Sequence, residues 1–293
     1  MWKTKLLKLA YRLNNRLNLV DIKCLSSLKR VGKWFMFRVL TSDEQLLIKI
    51  DGMPFYIRST PASIQEYVLR PYEPYTTELF KRAVKPGAIV LDIGAQFGYY
   101  SLLAAKLVGP EGRVFAFEPA PSNFEILKRN IQVNNYTHII YPIQKAVGNK
   151  QGKITLFIYE HSDSHGMFRH PKAAVKETIS VETISIDEFL MGQSVDVIKM
   201  DIEGNEPFAL EGMKETISRS NNLILFTEFA PAFLRRGGTK PEDYLTQLER
   251  LGFYVQLIDE HSRCLKPVTE DFFRTDDPSR YANLYCTKRK TLR

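Results

Sequence analysis

Apolar and polar positions along this chain follow two different periods, and the order in which the periods occur predicts an architecture. The stretch Gln45 to Ile57 reads as two strands joined at Asp51-Gly52, a dipeptide suited to a two-residue hairpin turn. Prolines at 61, 71 and 74 then interrupt the chain around a short helical stretch, Ser63 to Leu69, and helical spacing resumes from Thr76 to Val84 until Lys85-Pro86-Gly87 stops it. From Ala88 onward, short apolar runs alternate with helical segments: strand 88–93, helix 99–108, strand 113–118, helix 122–134, strand 139–146, and further strands near 195–201 and 222–228. Such alternation predicts a doubly wound α/β fold, a mostly parallel sheet wrapped by helices. Lys153 to Tyr159 and Thr178 to Ile184 predict an extra strand pair flanking a polar loop, 160–176, which carries His161, His165 and His170. Near the end, Phe253 to Ile258 and Ala282 to Thr287 have no helix-length apolar pattern between them, so an antiparallel pair is expected at one edge.

The strand at 88–93 ends in an acid and runs through Asp92-Ile93-Gly94-Ala95-Gln96-Phe97-Gly98 directly into a helix. This is a nucleotide-binding turn, but not one for a dinucleotide. The dinucleotide fingerprint G-x-G-x-x-G needs its second glycine so that the backbone can approach a pyrophosphate, and here Gln96 holds that place. The turn suits a ligand with a carboxylate, an ammonium and a ribose but no phosphate, and S-adenosylmethionine has that chemistry. Asp92 is placed to meet the ammonium, and the helix start near Gly98 favours the carboxylate. Glu118, at the end of the next strand, stands about 20 residues past the glycine turn, where a carboxylate accepts from both ribose hydroxyls. The candidate cofactor set is thus Asp92, Gly94, Ala95, Gln96, Gly98 and Glu118.

The chain has 293 residues and a net charge of +8. That length accommodates one α/β domain and a modest appendage, divided here as residues 1–75, a basic helix with accessory strands, and residues 76–293. No apolar run approaches the ~20 residues needed to cross a bilayer, and the first residues lack the apolar centre of a secretory signal, so a cytoplasmic protein is expected. Three cysteines, Cys24, Cys264 and Cys286, without C-x-x-C spacing fit neither a disulfide framework nor a zinc site. The positive excess is concentrated before residue 39. Trp2, Leu6, Leu9, Leu13 and Leu17 recur at helical spacing opposite Lys5, Lys8, Arg12 and Arg16. Docking on the protein's own core or a second subunit, peripheral contact with an anionic membrane through residues 1–20, and nucleic-acid binding all fit this helix, in that order of preference. A nucleic-acid methyltransferase is one alternative, prompted by the basic charge, but its chemistry finds little support, since Asn-Pro-Pro-Tyr, Asp-Pro-Pro-Tyr and Pro-Cys sequences are absent.

From about Tyr72 to Asp259 the chain resembles the FkbM family of S-adenosylmethionine-dependent methyltransferases. The resemblance is carried by Val90-Leu-Asp-Ile-Gly-Ala-Gln-Phe-Gly-Tyr-Tyr-Ser101, Phe117-Glu-Pro-Ala-Pro-Ser-Asn-Phe124, Thr183-Ile-Ser-Ile-Asp-Glu-Phe189 and Asp196-Val-Ile-Lys-Met-Asp-Ile-Glu-Gly-Asn-Glu206. It implies a class I methyltransferase (Rossmann-like) fold and methylation of hydroxyl oxygens on sugars, lipids or secondary metabolites. One position departs: the family usually has Asn where this chain has Gln96.

In an open parallel sheet, ligands bind outside the carboxyl ends of the strands, which singles out Asp201, Glu203 and Glu228. Lys199 shares a strand face with Asp201 by period-2 alternation. A hydroxyl attacking a methyl sulfonium must lose its proton, so a general base is required; Asp201 is the first candidate and His165, on the polar loop, the second. Carboxylates with a histidine also suit a divalent cation, although the spacing establishes none. The remaining alternative is a non-catalytic binding domain, against which the retention of Asp92, Gly94, Gly98, Glu118 and Asp201 argues.

Overall fold

The computed structural model describes residues 45–159, 165–169, 174–274, 277 and 280–288. The basic segment 1–44, including the expected helix and Cys24, lies outside the described residues, as do His161 and His170. Two compact units are distinguished, one ending at Tyr72 and the other beginning at Glu73.

In the first unit, β1 (Gln45–Ile50) and β2 (Met53–Arg58) form the antiparallel hairpin, with Ile50 opposite Met53. Asp51 and Gly52 both have positive φ, 48° and 84°, as a hairpin turn that follows the strand twist requires. Leu46, Ile48, Phe55 and Ile57 are buried, and Phe55 packs on Tyr67 with ring centroids 5.5 Å apart. The helical stretch expected at Ser63 to Leu69 begins earlier, at Pro61, where Thr60 Oγ1 accepts from the Ser63 amide. It continues as a wider π-type turn over Ile64–Leu69.

The second unit contains the main sheet. Its strands are β3 (Ile89–Ile93), β4 (Arg113–Phe117), β5 (Ile140–Ile143), β9 (Val197–Met200), β10 (Ile224–Phe229), β11 (Phe253–Asp259), β12 (Cys264–Lys266) and β13 (Ala282–Lys288). Their order across the sheet is β12-β11-β13-β10-β9-β3-β4-β5. Neighbouring strands from β5 to β10 are parallel, whereas β13 runs antiparallel to both β10 and β11. The antiparallel pair expected from the sequence is therefore present, but β13 is inserted one place inside the sheet and β12 forms the outer strand. This topology is the class I methyltransferase arrangement, doubly wound around β3.

Helices α1 (Pro74–Ala83), α2 (Tyr99–Val108), α3 (Pro121–Val133), α4 (Ile186–Leu190), α5 (Glu206–Glu211), α6 (Lys214–Arg219), α7 (Pro231–Arg236), α8 (Pro241–Arg250) and α9 (Glu270–Phe273) connect and cover the strands. Beneath them lies a continuous core including Leu91, Ile93, Ile198, Met200, Leu225, Phe229, Tyr244 and Leu284. The strand expected over 139–146 is broken in two: Pro142 has no amide to donate, which confines β5 to the sheet edge, and the chain then leaves to form β6 (Ala146–Val147). β6 joins β7 (Gly152–Tyr159) and β8 (Val175–Ile184) in a separate three-stranded sheet, the extra strand pair of the sequence reading enlarged by one.

Two acidic residues of the motifs that carry the resemblance hold local structure. Asp187, in α4, caps α6: its Oδ1 accepts from the Thr216 amide and hydroxyl, both at 2.7 Å, and its Oδ2 accepts from the Glu215 amide at 3.1 Å. Glu206 folds back over the turn that follows β9, where its buried Oε1 accepts from the Ile202 amide at 2.9 Å and the amides of Gly204 and Glu206 add further hydrogen bonds. Burial nonetheless raises Glu206 to about 7, outweighing those hydrogen bonds.

Replacing Asp187 by Ala is expected to lower the unfolding free energy by about 1–2 kcal/mol, read from urea denaturation, with the far-UV circular dichroism spectrum unchanged. For Glu206 the sign follows from linkage. The folded chain binds this proton more tightly than the unfolded chain, so the contribution to stability is complete below the ordinary value of 4.5 and is lost as pH rises through about 7. Thermal melts from pH 4.5 to 8 should therefore fall more steeply for the wild type than for Glu206→Gln, and parallel curves would refute the assignment.

Candidate active site

The turn after β3 is built by close backbone approach. Gly94 has φ +85°, and a Cβ placed there would lie 1.9 Å from the carbonyl oxygen of Asp201, so only glycine fits. The amides of Gly94 and Ala95 both donate to the Phe117 carbonyl, at 3.0 and 2.9 Å, tying the turn to the end of β4. Gln96 adopts a left-handed conformation with φ +51°, a conformation that Asn tolerates better than Gln and that costs an ordinary residue roughly 1–2 kcal/mol. Gly98, with φ +91°, caps α2, and a Cβ there would meet Leu127 Cδ1 at 2.5 Å.

The two acids predicted for the cofactor flank this turn. Glu118 is buried, and its Oε2 accepts from the Gln96 amide at 2.9 Å while Oε1 accepts from the Ala120 amide at 2.8 Å. Its carboxylate is thus fixed by two separate turns. Asp92 is also buried and accepts from the hydroxyl and amide of Ser101, so it engages the first turn of α2 itself. Burial raises Asp92 to about 6, against the opposing effects of Ser101 and the Lys199 ammonium. Glycines that exclude a Cβ, a fixed carboxylate at the end of β4 and a buried acid at the end of β3 together fit S-adenosylmethionine. Asp92 would face its ammonium and Glu118 its ribose.

Sheet register gathers the remaining acids. Asp92 lies beside Lys199, and Lys199 beside Phe226, so all three point to one face, and period-2 alternation adds Asp201 and Glu228. Lys199 is 2% exposed, donates to Asp201 Oδ2 at 3.3 Å and lies 5.2 Å from the centroid of the Tyr100 ring. Burial alone would favour loss of its proton, yet the charges of Asp201, Glu73, Glu228 and Asp92 outweigh that effect and hold the ammonium above the ordinary lysine value. Among the described residues, buried Glu228 Oε2 has no hydrogen-bond partner, and burial raises this carboxyl well above the usual range, reinforced by Asp201, Glu203 and Glu206.

Glu203 and Gly204 continue the turn after β9 with φ of +59° and +97°. A Cβ at Gly204 would meet the Phe233 carbonyl oxygen at 2.5 Å, and one at Gly237 would meet the Phe168 ring at 2.8 Å. Residues 165–169 of the polar loop therefore run beside this turn, with Gly166 next to Glu203. His165 Nδ1, however, accepts from the Tyr159 amide at 3.5 Å, which directs that nitrogen back toward β7. Among the described residues, no group of three or more His, Cys, Asp or Glu side chains is arranged to hold a metal ion.

Three members of the cluster escape the sequence reading. Glu73 accepts from Tyr100 Oη at 2.5 Å and from Asn283 Nδ2 at 2.7 Å. Prolines on either side mark Glu73 as part of a chain break, Tyr100 reads as an apolar helix position, and Asn283 comes opposite Glu228 only through the placement of β13. The signal that pointed their way was an unexplained lysine in the middle of an apolar strand.

Comparison with known proteins agrees with this geometry. The family described as "Methyltransferase FkbM domain" matches residues 92–255, more than half of the chain. The hexuronic acid methyltransferase AglP of Haloferax volcanii is 24% identical over 202 residues, which cover 67% of this chain and 80% of that protein. The 2-O-methyltransferase NoeI of Sinorhizobium fredii is 26% identical over 170 residues, covering 52% and 68% respectively. The 31-O-demethyl-FK506 methyltransferase FkbM of Streptomyces tacrolimicus is 30% identical over 141 residues, covering 48% and 51%. With the glycine turn, Asp92 near the end of β3, Glu118 just past β4 and the Asp201–Glu206 turn all in place, the chain belongs to the FkbM family of S-adenosylmethionine-dependent methyltransferases.

Proposed function

We propose that this enzyme methylates a hydroxyl oxygen of a sugar, glycolipid or secondary metabolite, with Asp201 as the base that receives the hydroxyl proton. The carrying observation is the contact between Gly94 and the Asp201 carbonyl, which sets the acceptor-side carboxylate directly beside the cofactor turn. Relatives named for a hexuronic acid and for 2-O-methylation support an oxygen acceptor of this class.

S-adenosylmethionine supplies the electrophilic methyl group when bound. The protein's own residues do the rest. Asp201 Oδ2 is held by Lys199, while Oδ1 makes no hydrogen bond within the described chain and is the atom assigned to the acceptor proton. Glu203, on the strained turn, and Glu228, with its unpartnered Oε2, are assigned to acceptor hydroxyls. Within the segment 165–169, Gly166 borders Glu203. His165 is assigned to the acceptor boundary rather than to proton removal, because Nδ1 is turned toward β7.

Two measurements test the reading. S-adenosylhomocysteine titrated calorimetrically should bind saturably, weaken with Glu118→Ala and have no counterpart for NADH; absence of binding to folded protein would remove the assignment. With hexuronic acid and neutral sugar acceptors and a labelled methyl donor, Asp201→Asn should retain S-adenosylhomocysteine affinity and lose about 10²–10⁴-fold in turnover. Parallel loss of affinity and turnover would exclude Asp201 as the base.

A further inference from the structure

A lysine buried inside a parallel strand has no packing role that methionine would not fill. Lys199 is there with charged or polar groups facing it from every neighbouring element: Asp92 on β3, Tyr100 on α2, Asp201 on its own strand, Glu228 on β10, and Glu73 immediately before α1. Asp92 in turn faces Ser101, Lys199 and Asp201. Glu73 is held in a left-handed conformation, φ 38° and ψ 61°, and both its carboxylate oxygens are occupied, Oε2 by Tyr100 Oη and Oε1 by Asn283 Nδ2. The same Tyr100 whose hydroxyl binds Glu73 has its ring 5.2 Å from Lys199 Nζ. A chain of contacts thus runs from β13 through Glu73 and Tyr100 to Lys199 and on to Asp201.

We propose that Lys199 is a positioning residue whose buried ammonium keeps Asp92, at the donor, and Asp201, at the acceptor, as oriented carboxylates, and that Glu73 is the counter-charge that sets how strongly it does so. Lys199 itself takes no proton in the reaction, because the surrounding acids keep it charged. The network gives one cation two tasks: it fixes Asp201 Oδ2 directly and acts on Asp92 through the adjacent strand. The inference rests on the assignment of Asp92 to the methyl donor.

The test needs no acceptor. S-adenosylhomocysteine affinity is measured by calorimetry from pH 5 to 9 in wild type, Lys199→Met and Glu73→Gln, each checked for folding by circular dichroism. Wild-type affinity is expected to fall as pH drops through about 6, where Asp92 gains its proton. Removing the ammonium should move that midpoint up by about one pH unit, and Glu73→Gln should move it down on the alkaline side, where Glu73, itself raised by burial, carries its charge, because loss of a neighbouring cation and loss of a neighbouring anion act oppositely on a carboxylate. A role in packing alone would scale affinity evenly at all pH values. Unmoved midpoints, or midpoints moved in the same direction, would overturn the proposal; if Lys199→Met does not fold, a midpoint in Glu73→Gln that is unmoved or raised overturns it alone. Absence of binding by the wild type at every pH would instead strike down the donor assignment, and this inference with it.

Discussion

The site depends on one steric constraint, the approach of the Gly94 backbone to the Asp201 carbonyl. A side chain at residue 94 would occupy the position of that oxygen, so the turns after β3 and β9 touch through main chain alone. The relative placement of these two turns is therefore set by backbone contact. Other features follow from this closeness. Gln96 and Glu203, one on each turn, both adopt left-handed conformations, and Gly204 repeats the device by letting the Phe233 carbonyl approach. Local strain gathered at two facing turns is the usual mark of a geometry kept for function.

Charge is the second constraint. Bringing Asp92, Asp201, Glu228 and Glu73 to one face of a buried sheet would be prohibitive without compensation, and Lys199 provides it at the centre of the group. The compensation is partial: burial still holds the Asp92 and Glu228 carboxyls above their ordinary range.

What could be read from the sequence was what is local. The turn from Asp92 to Gly98 and the acid at Glu118 are legible because each occupies a few consecutive residues with fixed spacing, and Asp201 and Glu228 because strand ends in a parallel sheet share one rim. Glu73 and Asn283 could not be read this way, since they meet across 210 residues through a strand order that periodicity does not encode. Asp187 and Glu206 were visible as members of motifs, but their work as a helix cap and a turn clamp lies in hydrogen bonds to distant or folded-back amides. The break at Pro142 was equally present in the sequence, and its effect became plain only once β5 was seen to be an edge.

The interior position of β13 has a consequence for synthesis. Because this last described strand fits between β10 and β11, a nascent chain that has reached only β11 cannot complete its sheet until residues 282–288 emerge. Until then Glu73 lacks Asn283 and Glu228 lacks its cross-strand neighbour. Assembly of the charged cluster thus waits for β13 to be made.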